Sequence, residues 1–460
     1  MPDANDQVLD DAFIKLERDI QYLMTCFREV LDELGEPDLA KRVPWTGQGL
    51  DAGGTWRDRD LQVLSIAFQL LNMVEENTSA QARRLRESRH GTDAEAGLWG
   101  WWLKKLIADG FSAEDVARIL PKVVVEPVLT AHPTEAKRQT VLEQHRQLYL
   151  LLVKRENQMF TPAEQEQIRE DIKAALERLW RTGEVFFAKP DVAAERRGIL
   201  YYLREIFPAT IPRLDQRLRS AWTDCGFDPA LIDRPAKLPK VRFGNWVGGD
   251  RDGHHLVTAE VTRETFAELR RTAIAVQAAQ LRQLGARLSL SQRLQEVPTS
   301  LLQAIESYAD LLGEAGRQAL ERNPDEPWRQ YVNLLLARLP DDDGTGRAPS
   351  EGRYRHPREL QADLQRLRDS LLAVKAHRLA DHDLAEVERS VEVFGFHLAA
   401  LDIRQNSAFH DRALQQLLTA AGIANEFPEW SEDQRRDLLD RELTSPRPLA
   451  HAQVDCGAEA

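Results

Sequence analysis

The chain has 460 residues, with 61 basic and 74 acidic side chains and a formal net charge of −13. This charge disfavours a general nucleic-acid or anionic-membrane surface, so any bound anion needs a local basic pocket. No apolar run approaches the roughly 20 residues of a membrane span, and three widely separated cysteines argue against a disulfide framework. We therefore expect a cytoplasmic protein with neither nucleic-acid nor membrane partners.

Long amphipathic helices dominate the predicted elements. Apolar residues at helical spacing from Leu9 to Leu34 predict the first helix, which Gly35 and Pro37 end. The same spacing predicts further helices from Leu61, from Pro162, over 193–222, from Val257, over 301–339, over 360–392 and over 409–421.

Three short strands interrupt these helices. The β-branched run 123–128 predicts a buried strand, VRFGNW at 241–246 predicts a second, and the third lies within VFGFHLAALDIRQNS at 393–407. This order predicts a mostly α fold with a partial parallel α/β, TIM-like barrel, in which long helices are inserted between a few short parallel strands. We expect a helical region at 1–120 and an incomplete barrel at 121–460, since three strands cannot close a barrel.

The loop after the first strand contains His132, at a position where α/β folds place their chemistry. An imidazole, with a reference pKa of about 6.5, can exchange protons near neutrality. Pro133 restricts the backbone and Thr134 can cap the following helix, which predicts a stiff loop. The alternative is a buried histidine bonded to a neighbouring carbonyl.

The second strand leads into the glycine-rich loop 248–253, GGDRDG. Its glycines permit a close approach of backbone to ligand, and the two aspartates beside Arg251 are predicted to orient its guanidinium for a phosphate or a carboxylate. A salt-bridged turn and a hard-cation site such as one for Ca²⁺ are the alternatives. Trp246, just before the loop, could line one side of an apolar pocket or belong to the core.

The third strand ends in LDIRQNS, at 401–407. Asp402 and Arg404 alternate along the chain, so both are predicted to face the same side of an extended strand. Arg404 would then reach the same end of the strands as His132, although an interior Asp–Arg pair is an alternative. The residues alone thus predict an anion site built from His132, Arg251 and Arg404.

Three motifs together, TAHPTEAKR, FGNWVGGDRDG and LDIRQNS, resemble the N-terminal half of phosphoenolpyruvate carboxylase, and LERLWRTGEVFF at 176–187 also matches. The resemblance implies a magnesium-dependent lyase of carbon dioxide fixation. Such an enzyme joins bicarbonate to phosphoenolpyruvate through carboxyphosphate and an enolate, giving phosphate and the oxaloacetate that replenishes the tricarboxylic acid cycle. It also implies a homo-oligomer, a tetramer, for the complete enzyme.

The same resemblance assigns roles to four residues. It implies that His132 is the catalytic histidine that manages protons around carboxyphosphate, and that Arg404 holds the phosphoryl oxygens as a catalytic and substrate-binding group. Trp246 would lie beside the substrate's methylene carbon, and Arg251 would support the pocket. Fixed guanidinium groups suit a transition state whose charge is spread over phosphoryl oxygens.

The sequence also departs from the family pattern. His254 and His255 stand where the family has Asn-Pro, and Asn406 replaces a glutamate. No Tyr-Ser-Asp-Ser-x-Lys-Asp stretch occurs before Ala460, so the second catalytic residue, a lysine, and the acidic magnesium ligands are expected in a missing C-terminal half. We expect the isolated chain to be inactive. The alternatives are a non-catalytic helical remnant, a subunit that needs a partner, and a metal phosphatase resting on two loop aspartates.

Overall fold

The computed structural model describes residues 4–46, 57–130, 139–182, 191–252, 256–341, 350–451 and 455–457. Within these ranges most residues are helical, as the sequence predicts. The α-helices are α1 Ala4–Glu33, α2 Pro37–Ala40, α3 Asp58–His90, α4 Trp99–Ala108, α5 Ala113–Ile119, α6 Gln139–Arg155, α7 Pro162–Thr182, α8 Val192–Tyr201, α9 Phe207–Asp224, α10 Ala259–Arg287, α11 Thr299–Leu312, α12 Glu314–Glu321, α13 Pro327–Ala337, α14 Pro357–Ala373, α15 Ala385–Phe394, α16 Ser407–Ala420 and α17 Glu432–Leu443.

Shorter helical turns connect several of these helices. Two are π-helical, Tyr202–Ile206 and Leu379–Leu384. Four are 3₁₀ helices, Leu120–Lys122, Pro229–Ile232, Pro235–Lys237 and Phe427–Glu429. None of the helices in the described ranges combines the length and the apolar character that crossing a bilayer requires.

The strands are each two residues long: β1 Val124–Val125, β2 Val128–Leu129, β3 Lys240–Val241, β4 Gly244–Asn245 and β5 Ala400–Leu401. β1 pairs with β3, and β2, β4 and β5 form a three-stranded sheet with β4 in the centre. In that sheet both pairings are parallel, with Gly244 opposite both Val128 and Ala400. The expectation of a few short parallel strands between long helices is confirmed.

One detail of the predicted strands is wrong. The run 123–128 is not one buried strand, because it is split between β1 and β2, and Val125 and Val128 are 50% and 41% exposed. The third predicted strand, within 393–407, is confirmed as β5. β-branched residues favour a pleated surface, but burial requires a second layer, which the strand sequence does not specify.

Side-chain caps fix the starts of the two helices that follow β4 and β5. Thr258 Oγ1 accepts a hydrogen bond from the backbone N–H of Val261 at 3.3 Å and caps α10. Asn406 Oδ1 accepts from Ala408 N at 2.9 Å and caps α16. Asparagine and threonine are favoured at this position because they satisfy amide groups that the first turn leaves free.

The chain divides into two compact units. The first comprises 1–124, 132–194 and 205–240, and the second comprises 125–131, 195–204 and 241–460. The first unit has one core formed by α1, α3, α6 and α7, which includes the fully buried Phe27, Ile66 and Leu176. A separate core of this unit surrounds Trp222 and Leu103.

The second unit has a core among α10, α11, α13, α14 and α15. Trp328, Tyr331 and Leu367 are fully buried there. Next to the sheet, the ring of Phe243 stacks on that of Phe394 with centroids 5.6 Å apart and planes 1° apart. This contact joins the start of β4 to the end of α15, and so anchors the central strand to the helical layer.

Candidate functional site

The chain segments that leave β4 and β5 lie side by side beyond the strands themselves. Asp402 N donates to Asn245 O at 2.9 Å, Arg404 N donates to Gly249 O at 3.2 Å, and Arg251 N donates to Arg404 O at 2.8 Å. A parallel bridge between Asp250 and Arg404 continues the pairing. The second and third motifs of the sequence therefore meet at the carboxyl end of the sheet, as predicted.

This approach depends on two glycines. Gly248 has a φ of +84°, and a Cβ there would lie 2.1 Å from Thr265 Oγ1. At Gly249 a Cβ would lie 2.3 Å from the carbonyl oxygen of Asp402. Because neither position leaves room for a side chain, the two glycines serve to bring the loop against β5 and α10.

Arg404 and Trp246 form the centre of the site. The Arg404 guanidinium carbon lies 4.4 Å from the centroid of the Trp246 ring, and the indole Nε1 donates to Asp402 Oδ2 at 2.9 Å. Arg404 Nη1 also donates to Asp250 Oδ2 at 3.3 Å. The Arg404 side chain is 44% exposed, so its guanidinium remains accessible to a ligand.

The partners of these side chains contradict one prediction and one alternative. Arg251 does not lie between the flanking aspartates: its Nη2 donates to Thr262 Oγ1 at 3.2 Å, and Asp250 pairs with Arg404 instead. Nor do Asp402 and Arg404 form an ion pair with each other, although both contact Trp246 as expected for one strand face. Sequence spacing predicted that these charges meet at one strand end, but not that Arg251 would bond the Thr262 hydroxyl while Asp250 pairs with Arg404.

Thr262 also holds the glycine loop. Its hydroxyl, within α10, lies 2.8 Å from the carbonyl oxygen of Gly248 and accepts from Arg251. One turn further along α10, the buried Thr265 accepts a hydrogen bond from Arg196 Nη1 at 3.1 Å. Arg196 is 6% exposed, and its Nε lies 2.6 Å from Glu268 Oε2.

These threonines and Arg196 were not identified from the sequence. Thr262 and Thr265 lie one turn apart in α10, and an inward-facing threonine pair on an otherwise apolar helix face is the one signal that could have found them. Arg196 carried no such signal, because it lies in a run of charged residues on α8.

Several predicted residues lie outside the described ranges. His132 does, in the segment between β2 and α6, and so do His254 and His255. Asn406, the other departure from the family pattern, has a local structural role as the cap of α16. The role assigned to His132 remains a prediction.

The described residues do not fit a metal centre. No group of three or more histidine, cysteine, aspartate or glutamate side chains within them could hold a metal ion. Asp250 Oδ2 already faces a guanidinium, which disfavours a cation at the same carboxylate. The Ca²⁺ site and the metal phosphatase considered from the sequence therefore gain no support.

Comparison with known proteins identifies the family. A family model described as phosphoenolpyruvate carboxylase matches residues 59–460. The chain belongs to the phosphoenolpyruvate carboxylase family. The family assignment made from the three motifs is thereby confirmed.

The phosphoenolpyruvate carboxylase relatives are longer proteins. One from Rhodopseudomonas palustris (strain BisA53) is 32% identical over 463 residues, which cover 99% of this chain and 47% of that protein. Others from Roseiflexus castenholzii and Xanthomonas euvesicatoria pv. vesicatoria are 33% and 36% identical, and the matches cover 86% and 78% of this chain and 43% and 39% of those proteins. The chain thus spans less than half the length of these phosphoenolpyruvate carboxylases.

Proposed function

We propose that this chain supplies the phosphoenolpyruvate-binding portion of a phosphoenolpyruvate carboxylase. The whole enzyme would join bicarbonate to phosphoenolpyruvate and yield oxaloacetate and phosphate. The observation that carries the proposal is the accessible guanidinium of Arg404, held against Trp246 at the carboxyl end of a parallel sheet. Ligands of α/β proteins commonly bind at this end of the strands.

Arg404 suits the phosphoryl group of such a substrate. A guanidinium presents several donors in a plane, and can bind two oxygens of a phosphoryl group at once. Only Nη1 donates to a carboxylate among the described residues, so the other donors are available. As bicarbonate attacks phosphorus, the charge that spreads over the phosphoryl oxygens would be stabilised by this fixed cation.

Trp246, Arg251 and His132 would complete the substrate pocket. The indole of Trp246 offers an apolar face beside the guanidinium, which suits the methylene carbon of phosphoenolpyruvate. Arg251 is tied through its backbone to Arg404 and through its side chain to Thr262, so it would stiffen the pocket. His132 would exchange protons with carboxyphosphate and the enolate.

Catalysis would require further protein. In the second unit Val125, Val128 and Ile403 have large exposed fractions near the short strands, and exposed apolar strands of this kind are covered in stable proteins. We propose that additional strands and helices, of the kind the longer relatives have room for, cover them and complete a TIM-like barrel. This added part would supply Mg²⁺ ligands, and the complete enzyme would be a tetramer.

The first test uses the isolated chain, residues 1–460. A coupled oxaloacetate assay with magnesium, bicarbonate and phosphoenolpyruvate should show no turnover, whereas titration calorimetry should detect phosphoenolpyruvate binding. Arg404→Ala should weaken binding roughly ten-fold or more, because hydrogen bonds to charged groups contribute about 1.5–3 kcal/mol. Arg436→Ala, which removes an exposed arginine of α17, is the matched control and should leave binding unchanged.

Two outcomes would contradict this proposal. Clear turnover by the isolated chain would show that no further protein is needed. Binding that is absent, or that survives Arg404→Ala at full strength, would favour the non-catalytic helical remnant instead.

A second test addresses His132. The chain would be co-expressed with the part of the Rhodopseudomonas palustris relative that lies beyond the matched region, and any restored carboxylation measured. His132→Asn should then spare folding and phosphoenolpyruvate binding but abolish carboxylation, since asparagine cannot exchange protons near neutrality. Carboxylation near the parent rate in His132→Asn would disprove the role given to this histidine.

A further inference from the structure

The indole of Trp246 contacts two charged side chains of the same strand end. Its edge donates through Nε1 to Asp402 Oδ2 at 2.9 Å, and its face lies 4.4 Å from the guanidinium carbon of Arg404. Asp402 and Arg404 are separated by one residue and leave β5 toward the same side. One strand thus presents a carboxylate to the ring edge and a guanidinium to the ring face.

The backbone of Trp246 is already fixed by other contacts. Its N–H donates to Leu129 O at 3.0 Å, and its carbonyl accepts from Gly249 N at 3.0 Å and from Asp250 N at 2.9 Å. The remaining freedom of this residue is the rotation of its ring. A hydrogen bond from an indole N–H to a carboxylate is charge-assisted and short, so it restricts that rotation.

Ring rotation matters because the attraction between a cation and an aromatic ring is directional. The guanidinium is attracted to the negative face of the indole and not to its positive edge. The other restraint on Arg404, the contact with Asp250, is 3.3 Å long and partly exposed, and exposed ion pairs are weak and screened by salt. The orientation of Arg404 therefore depends on the orientation of the Trp246 ring.

We infer that Asp402 is a positioning residue for substrate binding: it fixes the Trp246 ring, whose face holds the Arg404 guanidinium toward the anionic substrate. This inference rests on the proposed function of Arg404. Asp402 itself contacts the indole edge and needs no contact with the ligand.

The test compares Asp402→Ala, Asp402→Asn and Trp246→Phe in the chain 1–460, with phosphoenolpyruvate as the probe. Asp402→Ala should weaken binding roughly two- to five-fold, the size of an exposed cation–π contact. Asp402→Asn should restore most of the affinity, because its side-chain carbonyl still accepts from the indole N–H. Trp246→Phe keeps a ring face but lacks the N–H, so Asp402→Ala added to Trp246→Phe should have no further effect.

A second readout follows the ring directly. The chain has ten tryptophans, and the indole ¹⁵N–¹H signal absent from the Trp246→Phe spectrum identifies Trp246. Its exchange with water should speed up in Asp402→Ala and stay slow in Asp402→Asn. If Asp402→Ala fails to fold, the phosphoenolpyruvate affinities of the other two variants test the inference. The affinity of Asp402→Asn should be near that of the parent, and the affinity of Trp246→Phe should be reduced about two-fold.

Three results would overturn the inference. Unchanged binding in Asp402→Ala or in Trp246→Phe would show that ring orientation does not matter. Equal losses in Asp402→Asn and Asp402→Ala would show a charge effect without a role for the hydrogen bond. These results are separate from a failure of the proposed function, in which Arg404→Ala itself would leave phosphoenolpyruvate binding intact.

Discussion

Two clusters in the second unit combine arginine, aspartate and aromatic side chains, and they differ in how fully their donors are used. The Arg404 cluster, at the carboxyl end of the sheet, consists of Arg404, Trp246, Asp250 and Asp402. The Asp363 cluster, in the helical core, consists of Asp363, Arg338, Arg366, Tyr308 and Tyr354.

The Asp363 carboxylate is buried, and each of its two oxygens accepts two hydrogen bonds. Asp363 Oδ1 accepts from Tyr308 and Arg366, and Oδ2 accepts from Arg338 at 2.7 Å and Tyr354 at 2.8 Å. The Arg338 guanidinium carbon lies 4.1 Å and 4.4 Å from the ring centroids of Tyr308 and Tyr354. The Asp363 side chain is 6% exposed, although Arg366 of the same cluster is 43% exposed.

The Arg404 cluster is open by comparison. Its carboxylate Asp250 is 27% exposed and reaches one guanidinium nitrogen of Arg404, at 3.3 Å. The same residue types thus form one cluster around a buried carboxylate that accepts four hydrogen bonds, and another in which the carboxylate reaches a single nitrogen of an exposed guanidinium. Composition alone does not distinguish the two.

Removing the central carboxylate of each cluster should give the largest contrast. Asp363→Ala should lower the free energy of unfolding by about 3–5 kcal/mol, because two arginines and two tyrosines lose their shared buried acceptor. Asp250→Ala should change it by less than about 1 kcal/mol, as is usual for an exposed pair. Urea denaturation of both variants and the parent measures this, and equal losses would contradict the distinction between the clusters.

Thr262 should show an intermediate effect, since it is the buried support of the open cluster. Thr262→Val removes the hydroxyl that bonds both the Gly248 carbonyl and the Arg251 guanidinium. The free energy of unfolding should therefore fall by about 1–3 kcal/mol. Thr262→Ser should recover most of this loss. Thr223→Val, at an exposed hydroxyl of α9, is the control and should have little effect in the same denaturation experiment. A loss in Thr262→Ser as large as in Thr262→Val would exclude the hydroxyl as the cause.

The smallest expected effect is a pH dependence of the Asp363 cluster. Burial, together with the Asp363 charge, raises the pKa of Tyr354 well above its usual value, and the same causes raise the pKa of the adjacent Tyr331. An unfolded tyrosine titrates near pH 10, so the stability that these protonated phenols provide is complete below about pH 10 and is lost as pH rises further.

Tyr354→Phe should therefore flatten the fall of unfolding free energy above pH 10, by up to about 1.4 kcal/mol per pH unit. Tyr149→Phe, outside this cluster, is the control. Denaturation curves from pH 8 to 11 measure both variants, and a slope unchanged by Tyr354→Phe would argue that Tyr354 ionises as readily in the folded chain as in the unfolded one.

The sequence predicted more of the fold than of the site. Helical spacing identified the long helices, for example those beginning near Pro162 and Val257, because one buried face per helix repeats every 3.6 residues. Strand prediction was less accurate: the run 123–128 suggested burial, yet β1 and β2 are two residues each and largely exposed. A pattern of β-branched residues reports backbone preference, whereas burial depends on what packs above the strand.

What the sequence determined by itself is the family, the long helices, and the arrival of Arg251 and Arg404 at one end of parallel strands, because these follow from motifs and from local periodicity. The tertiary structure alone decided which charges pair. In the folded chain Thr262 accepts a hydrogen bond from Arg251, and Thr265 accepts one from Arg196. Asp250 pairs with Arg404, and Asp402 accepts a hydrogen bond from the indole of Trp246. Most of these contacts join residues that are distant in the chain, and their geometry depends on how helices and strands pack, which no local pattern encodes.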